Sequence, residues 1–165
     1  MDEPVAEELR TPPRHAAAYV RLLGAHAPVR EVESGPAYHF AEYTEPSRPP
    51  LALTRKDAGM LRGGFEGLVS ELPGWQPFLA LADGGRAVSV CRSVRITPEA
   101  HEAGVETLPD FRGRGYAGDV VAGWALQVRS LGAEPLYSTS WENTASQAVA
   151  GKLRLVQYGA DFHIT

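Results

Sequence analysis

The stretch that decides the fold is Pro109-Asp-Phe-Arg-Gly-Arg-Gly-Tyr-Ala-Gly-Asp119 (PDFRGRGYAGD). An apolar run ends just before it and a helical pattern begins just after it. Gly113 and Gly115 lack Cβ atoms, so the backbone can turn tightly there and a ligand can approach closely. The loop runs into a helix N-terminus, where the first amide N–H groups have no intrahelical acceptor and the macrodipole is positive. Successive N–H groups in a concave turn form an anion seat, and Arg112 and Arg114 add positive charge. The chemistry suits a phosphate or pyrophosphate. On loop chemistry alone, a plain structural turn stands beside that reading. No Gly-Lys-Ser/Thr follows, so the Walker pattern is absent. Gly113-x-Gly115-x-x-Gly118 matches the glycines of a dinucleotide fingerprint, but the strand before it ends a meander and no acidic residue closes the strand after it.

Working outward, Asp83-Gly84-Gly85 joins two β-type runs, Pro77–Ala82 and Arg86–Ile96, as a hairpin. Glu102–Leu108 adds a third strand, and the three read as an antiparallel meander. Beyond the loop, Val121, Trp124, Ala125, Val128 and Leu131 recur at helical spacing, and Gly132 is a natural stop. Pro135–Ser140 reads as a strand, and Asn143 as the cap of a helix to about Leu153. Leu155–Thr165 has room for one or two short strands. Strand, loop, helix and strand over residues 102–140 form a βαβ crossover. The fold class expected is therefore α/β (α+β): a mixed central sheet with an antiparallel meander, a βαβ crossover and helices on both faces.

Upstream, Asp57 is placed to cap a helix to about Leu72 with one apolar face, and Gly63-Gly64 is placed to break it in two. His15–Leu23 reads as a short helix and Pro36–Ala41 as a strand. Residues 1–50 are rich in Pro, Ala and Arg, an atypical N-terminal segment of what reads as one domain over residues 1–165.

Composition narrows the function. The 165 residues are 44% hydrophobic and 22% charged, ordinary for a globular domain. Sixteen basic against twenty acidic residues give a net charge of -4, which argues against nucleic acid as a partner. No run is long enough to span a bilayer, and Met1–Glu8 is acidic rather than signal-like. The single cysteine, Cys91, lies in an alternating apolar run and reads as a buried hydrophobe in a cytoplasmic protein. No metal is expected, because no Cys/His cluster has ligand spacing.

Leu108-Pro-Asp-Phe-Arg-Gly-Arg-Gly-Tyr-Ala117 resembles the acyl-CoA-binding segment of the GNAT superfamily of N-acetyltransferases, in which a strand leads into Arg/Gln-x-x-Gly-x-Gly/Ala and then a helix. Trp141-Glu-Asn-Thr-Ala-Ser146 resembles the segment flanking the pantetheine arm. The resemblance spans about residues 75–160. It implies acetyl-CoA as cosubstrate and an amine, on a small molecule or a protein, as acceptor. It implies that backbone amides of Arg112, Gly113, Arg114, Gly115, Tyr116 and Ala117 hold the pyrophosphate. It also implies that Glu106, Thr107 and Leu108 pair with the pantetheine, and that Asn143 and Ser146 can bond the coenzyme arm. For Asn143 and Ser146, a helix cap and a solvent-facing residue are equal alternatives.

The usual acidic tyrosine of that family falls at Ala150 here, so Ser146, Tyr137 and Tyr158 are the candidate acids and Glu106 the candidate base. Each has a structural alternative: a polar helix face, core aromatics and an exposed carboxylate. His39, His163 and Trp75 read first as packing or surface residues. The departure at Ala150 keeps a second reading open, a CoA-binding regulatory module with weak or no catalysis. The tail is short, so one strand is expected to be missing or supplied by another chain, which would make a homodimer.

Overall fold

The computed structural model describes residues 9–165; Met1–Glu8, expected to lack a signal segment, lies outside them. Gly84 and Gly85 both take positive φ, 57° and 78°. They close a tight hairpin between β3 (Phe78–Asp83) and β4 (Arg86–Ile96). β5 (Ala100–Thr107) pairs antiparallel with β4 and completes the meander. After the glycine loop, α2 (Tyr116–Ser130) carries the chain to β6 (Glu134–Ser138), which lies parallel to β5. Asn143 caps α3 (Thr144–Lys152), its side chain accepting from the Ser146 amide. The chain ends in one nine-residue strand, β7 (Val156–Ile164).

Before the meander come α1 (Ala16–Gly24), β1 (Val32–His39) and the two-residue β2 (Leu51–Ala52). The seven strands among the described residues form one sheet in the order β2-β3-β4-β5-β6-β1-β7. β1 therefore leaves its sequence neighbours and enters between β6 and β7, antiparallel to both. The tail holds one strand, as expected, and this chain's own N-terminal segment supplies the strand between it and β6.

Two cores cover the two faces. Leu79, Cys91, Val120, Val121, Trp124, Ala150 and Leu153 pack between the sheet and the helices α2 and α3. Leu53, Leu61, Phe65, Leu72, Phe78 and Val90 pack on the opposite face. Trp124 locks the first core: its indole N–H donates to Ser93 Oγ at 3.1 Å, which also bonds His101 Nδ1 at 2.9 Å. The polar groups of Ser93, His101 and Trp124 are tolerated in the core because each finds a partner. Burial pushes the His101 pKa down, favouring the neutral ring.

The segment expected as an α-helix from Asp57 is instead two 3₁₀ helices, Arg55–Leu61 and Glu66–Leu68. Thr54 is the cap, and Asp57 is the reciprocal acid of its capping box. Positive φ at Gly63 (87°) and Gly64 (149°) makes the break. Among the described residues, no helix is long and apolar enough to cross a membrane.

β1 runs tightly past the end of β6. Thr139 N–H donates to Pro36 O and Trp141 N–H to Ser34 O. A Cβ on Gly35 would collide with the Thr139 carbonyl oxygen. Gly35→Ala is expected to lower stability by about 2 kcal/mol or more, read from the urea midpoint, because backbone cannot yield as a side chain can. An unchanged midpoint would contradict this placement of β1.

Candidate functional site

The glycine loop folds as its composition requires. Phe111 N–H donates to Leu108 O (2.9 Å) and Arg112 N–H to Pro109 O (3.2 Å), forming one 3₁₀ turn. Gly113 and Gly115 then take positive φ, 72° and 85°, and Gly115 becomes the N-cap of α2. No atom lies within 4 Å of where a Gly113 Cβ would be, so the loop is open on that side. Asp119 N–H reaches Gly115 O at 3.1 Å and starts the helical ladder. The amides of Gly115, Tyr116, Ala117 and Gly118 are the helix's orphan donors. The Arg112 amide belongs to the turn, which leaves the anion-facing positions at Gly113 and beyond.

Four cations surround this terminus, two of them not singled out by the sequence. Arg48 comes from the N-terminal segment. Its guanidinium donates to Arg114 O (3.0 Å), pairs with Asp119 (2.6 Å) and lies 4.5 Å over the Tyr116 ring. Ser47 N–H also donates to Asp119 (2.9 Å), tying this segment to α2. Lys152 comes from the end of α3. A Cβ at Gly115 would lie 3.1 Å from Lys152 Nζ and 3.7 Å from Arg48 Nη1, so both cations border the helix start. Arg114 packs over Phe111, and Arg112 Nε donates back to Thr107 O (3.1 Å). Asp119, the one acid of the first turn, is neutralised by Arg48.

Upstream of the loop, β5 and β6 part. Their pairing consists of Ala100↔Glu134, His101↔Pro135 and Glu102↔Leu136. Beyond Glu102, β5 stays with β4 as far as Thr107, while β6 stays with β1 through Ser138. Leu108 N–H donates to Val88 O (2.9 Å), on the β4 side. Strand groups alternate in direction, so Glu106 also addresses β4, while Ala103, Val105 and Thr107 turn their backbone groups into the fork. Of the three positions expected to pair with a ligand arm, Thr107 faces the opening, and Leu108 uses its amide elsewhere.

Two of the three candidate acids, Tyr137 and Ser146, meet on the other wall, whereas Tyr158 is exposed on β7 and packs against His39. Tyr137 is buried; its hydroxyl bonds Ser146 Oγ at 2.7 Å and donates to Ser146 O at 3.4 Å. Burial, partly offset by the Ser146 bond, pushes the Tyr137 pKa up to about 12. Asn143 performs the local role, accepting from Ser146 N–H at 3.0 Å. Ala150 is buried in the α2 and α3 core.

Glu106 stands apart. Its carboxylate is 50% exposed and pairs with Arg92 (2.9 Å), which also pairs with Glu71. Another carboxylate, Glu102, lies at the vertex of the fork, 14% exposed, paired with Arg95 (2.7 Å) and receiving the Ser138 hydroxyl. Nothing in the local sequence marks it. Cys91 is buried and its thiol pKa is raised by that burial, which removes it as a nucleophile. His39 packs against Tyr158, and His163 bonds Arg95.

Residues 96–158 match the family model described as FR47-like protein. A GNAT-family protein from Novosphingobium aromaticivorans superposes with a TM-score of 0.68 at 19% identity, over 81% of this chain. An acetyltransferase of the GNAT family from Colwellia psychrerythraea gives 0.64 at 13% identity, over 80%. A GCN5-related N-acetyltransferase-like protein from Streptococcus suis gives 0.64 at 19%, over 89% of this chain and 67% of its own.

The chain has the GNAT fold. The likeness in fold covers 80–89% of this chain in these three structures. This chain spans 64% of the Novosphingobium structure and 55% of the Colwellia one. No curated protein matches the sequence.

The raised Tyr137 pKa fixes a pH dependence. Below pH 10, its ordinary value, the phenol is protonated in both folded and unfolded chains. Between 10 and about 12 the unfolded chain loses the proton first, so stability falls as pH rises. Urea unfolding from pH 9 to 11.5 should show wild type losing more stability than Tyr137→Phe, the gap growing by on the order of 1–2 kcal/mol across that range. Parallel curves would refute the burial of an un-ionised phenol.

Proposed function

We propose that this protein is an acyl-CoA-dependent N-acetyltransferase that moves an acetyl group from acetyl-CoA to an amine. One observation carries the reading: the strand fork opens directly onto a helix start with orphan amides and bordering cations. A long, flexible arm ending in a pyrophosphate would satisfy both at once. The fork offers unpaired strand edges to the amides of the arm. The helix start offers N–H groups, Arg48, Arg114 and Lys152 to the phosphates.

The residues then take distinct parts. Gly113 and Gly115 keep side chains out of the phosphate's way. The backbone of Val105 and Thr107 aligns the arm along β5, and one of those N–H groups polarises the acyl carbonyl. The bound thioester supplies the activated acyl group. Ser146 Oγ, backed by the un-ionised Tyr137 hydroxyl, delivers a proton to the departing thiolate. Water or a carboxylate at the vertex accepts the proton lost by the incoming ammonium. Holding the two reactants together supplies much of the rate. The buried, unpaired Cys91 fits a reducing cytoplasm.

Ala150 favours a second reading, a CoA-binding module without turnover, because no hydroxyl stands at that place in α3. Release of thiol from acetyl-CoA with an amine panel separates the two: turnover supports the enzyme, and tight binding without turnover supports the module.

Gly115→Asp would place a carboxylate against Lys152 and Arg48, filling the seat with the protein's own anion. Calorimetric titration should show CoA affinity falling by on the order of a hundredfold or more, as the charge-assisted phosphate contacts are lost. Undiminished affinity in the folded variant would remove the assignment.

A further inference from the structure

The fork has a second mouth. Ala103 and Val105 pack toward α2, so Glu102 on β5 points to the opposite face. On that face lies a cavity of about 130 Å³, bordered by residues of β4, β5, β6, β1 and β7. It begins at Glu102 and Leu136, the last bridged pair before the strands part. Its walls carry Glu102, Ser138, Tyr158 and Asp161, and Leu136 and Ala160 give it an apolar lining. The volume is well below the roughly 300 Å³ at which pockets take drug-sized ligands, so it admits a slender group.

The charge of the cavity is defined. Arg95, half exposed, is the cation lining it, and pairs with both Glu102 (2.7 Å) and Asp161 (3.4 Å). His163 Nδ1 accepts from Arg95 Nη2 at 3.1 Å, which requires that nitrogen to be unprotonated. Two carboxylates against one guanidinium leave one negative charge in excess. A second cation, of the size of an ammonium, balances it.

We propose that this cavity receives the acceptor, and that the acceptor is a primary aminoalkyl chain whose ammonium enters beside Arg95, against the carboxylates of Glu102 and Asp161. The inference rests on the acetyltransferase reading above. The methylenes lie on Leu136 and Ala160, and the nitrogen points toward the vertex of the fork. The ammonium gives one proton to Glu102 or to water held there. The nitrogen lone pair attacks the thioester carbonyl carbon, the C–S bond breaks, and the thiolate takes a second proton from the amine through the site. The products are the N-acetyl amide, the free thiol and one released proton. Arg95 is the positioning residue: its Nη1 bridges the two carboxylates and holds them on one wall of the cavity.

The test is kcat/KM with acetyl-CoA for 1,4-diaminobutane and an Nα-blocked lysine, against benzylamine and glutamate as bulky and anionic amines. Either aminoalkyl compound should exceed both comparison amines by about tenfold or more, as expected for one charge-assisted contact. The better of the two identifies a free or a peptide-borne chain. Glu102→Gln and Asp161→Asn should each raise the amine KM about tenfold while CoA affinity stays within about twofold. Ala160→Leu, at an exposed strand position where folding is not threatened, should raise the same KM by narrowing the cavity. A preference for benzylamine or glutamate overturns the proposal. So does an unchanged KM in Ala160→Leu and Glu102→Gln, or CoA binding with no turnover of aminoalkyl compounds. Failure of the wild-type protein to bind CoA at all overturns the reading beneath it.

Discussion

Three bridged residue pairs hold β5 to β6, and the fork exists because the pairing stops there. A strand edge without a partner carries N–H and C=O groups that need water or a ligand. Here two such edges face each other, one kept in line by β4 and the other by β1. The gap is held open from both sides by ladders that continue past it. Because the loop after β5 leads directly into α2, the open edge and the helix start share one surface. A strand edge that can bond amides and a helix end that can bond phosphates are thus adjacent by chain connectivity.

The N-terminal segment makes that geometry tenable. β1 is the partner that holds β6 away from β5, and it also binds the terminal strand β7. Further along the same segment, Ser47 and Arg48 clasp Asp119 and the loop carbonyl of Arg114. The same segment therefore both wedges the fork and charges its mouth. Without Arg48, the Asp119 carboxylate would oppose an anion at the helix start. With it, the acid becomes an anchor.

Local signals in the sequence were readable where the structure is local. The Gly84-Gly85 hairpin, the period of α2, the Asn143 cap and the glycine loop each express a short-range rule. The same rules misplaced the cap at Asp57, because Thr54 and Asp57 cap reciprocally and either residue type fits. They gave a strand at Pro36–Ala41, overlapping β1, but were silent on its partners, which lie about a hundred or more residues away and of which its pattern carries no record. Glu102 was equally unmarked: it becomes a vertex residue only through the register between β5 and β6. Arg48 and Lys152 meet at Gly115 from opposite ends of the chain, so no spacing could announce them. The alternation of β5, by contrast, decides which amides face the fork once one hydrogen bond, Leu108 to Val88, is known.

The central claim is that one ligand spans the helix start and the fork. The most direct measurement is a titration of the amide nitrogen–proton NMR spectrum with CoA. The largest shifts are expected at Gly113 to Gly118 together with Val105 and Thr107, with small changes in β7 and α1. Shifts that leave the amides of the loop and of β5 unmoved, or that gather in α1 and β7 instead, would contradict it.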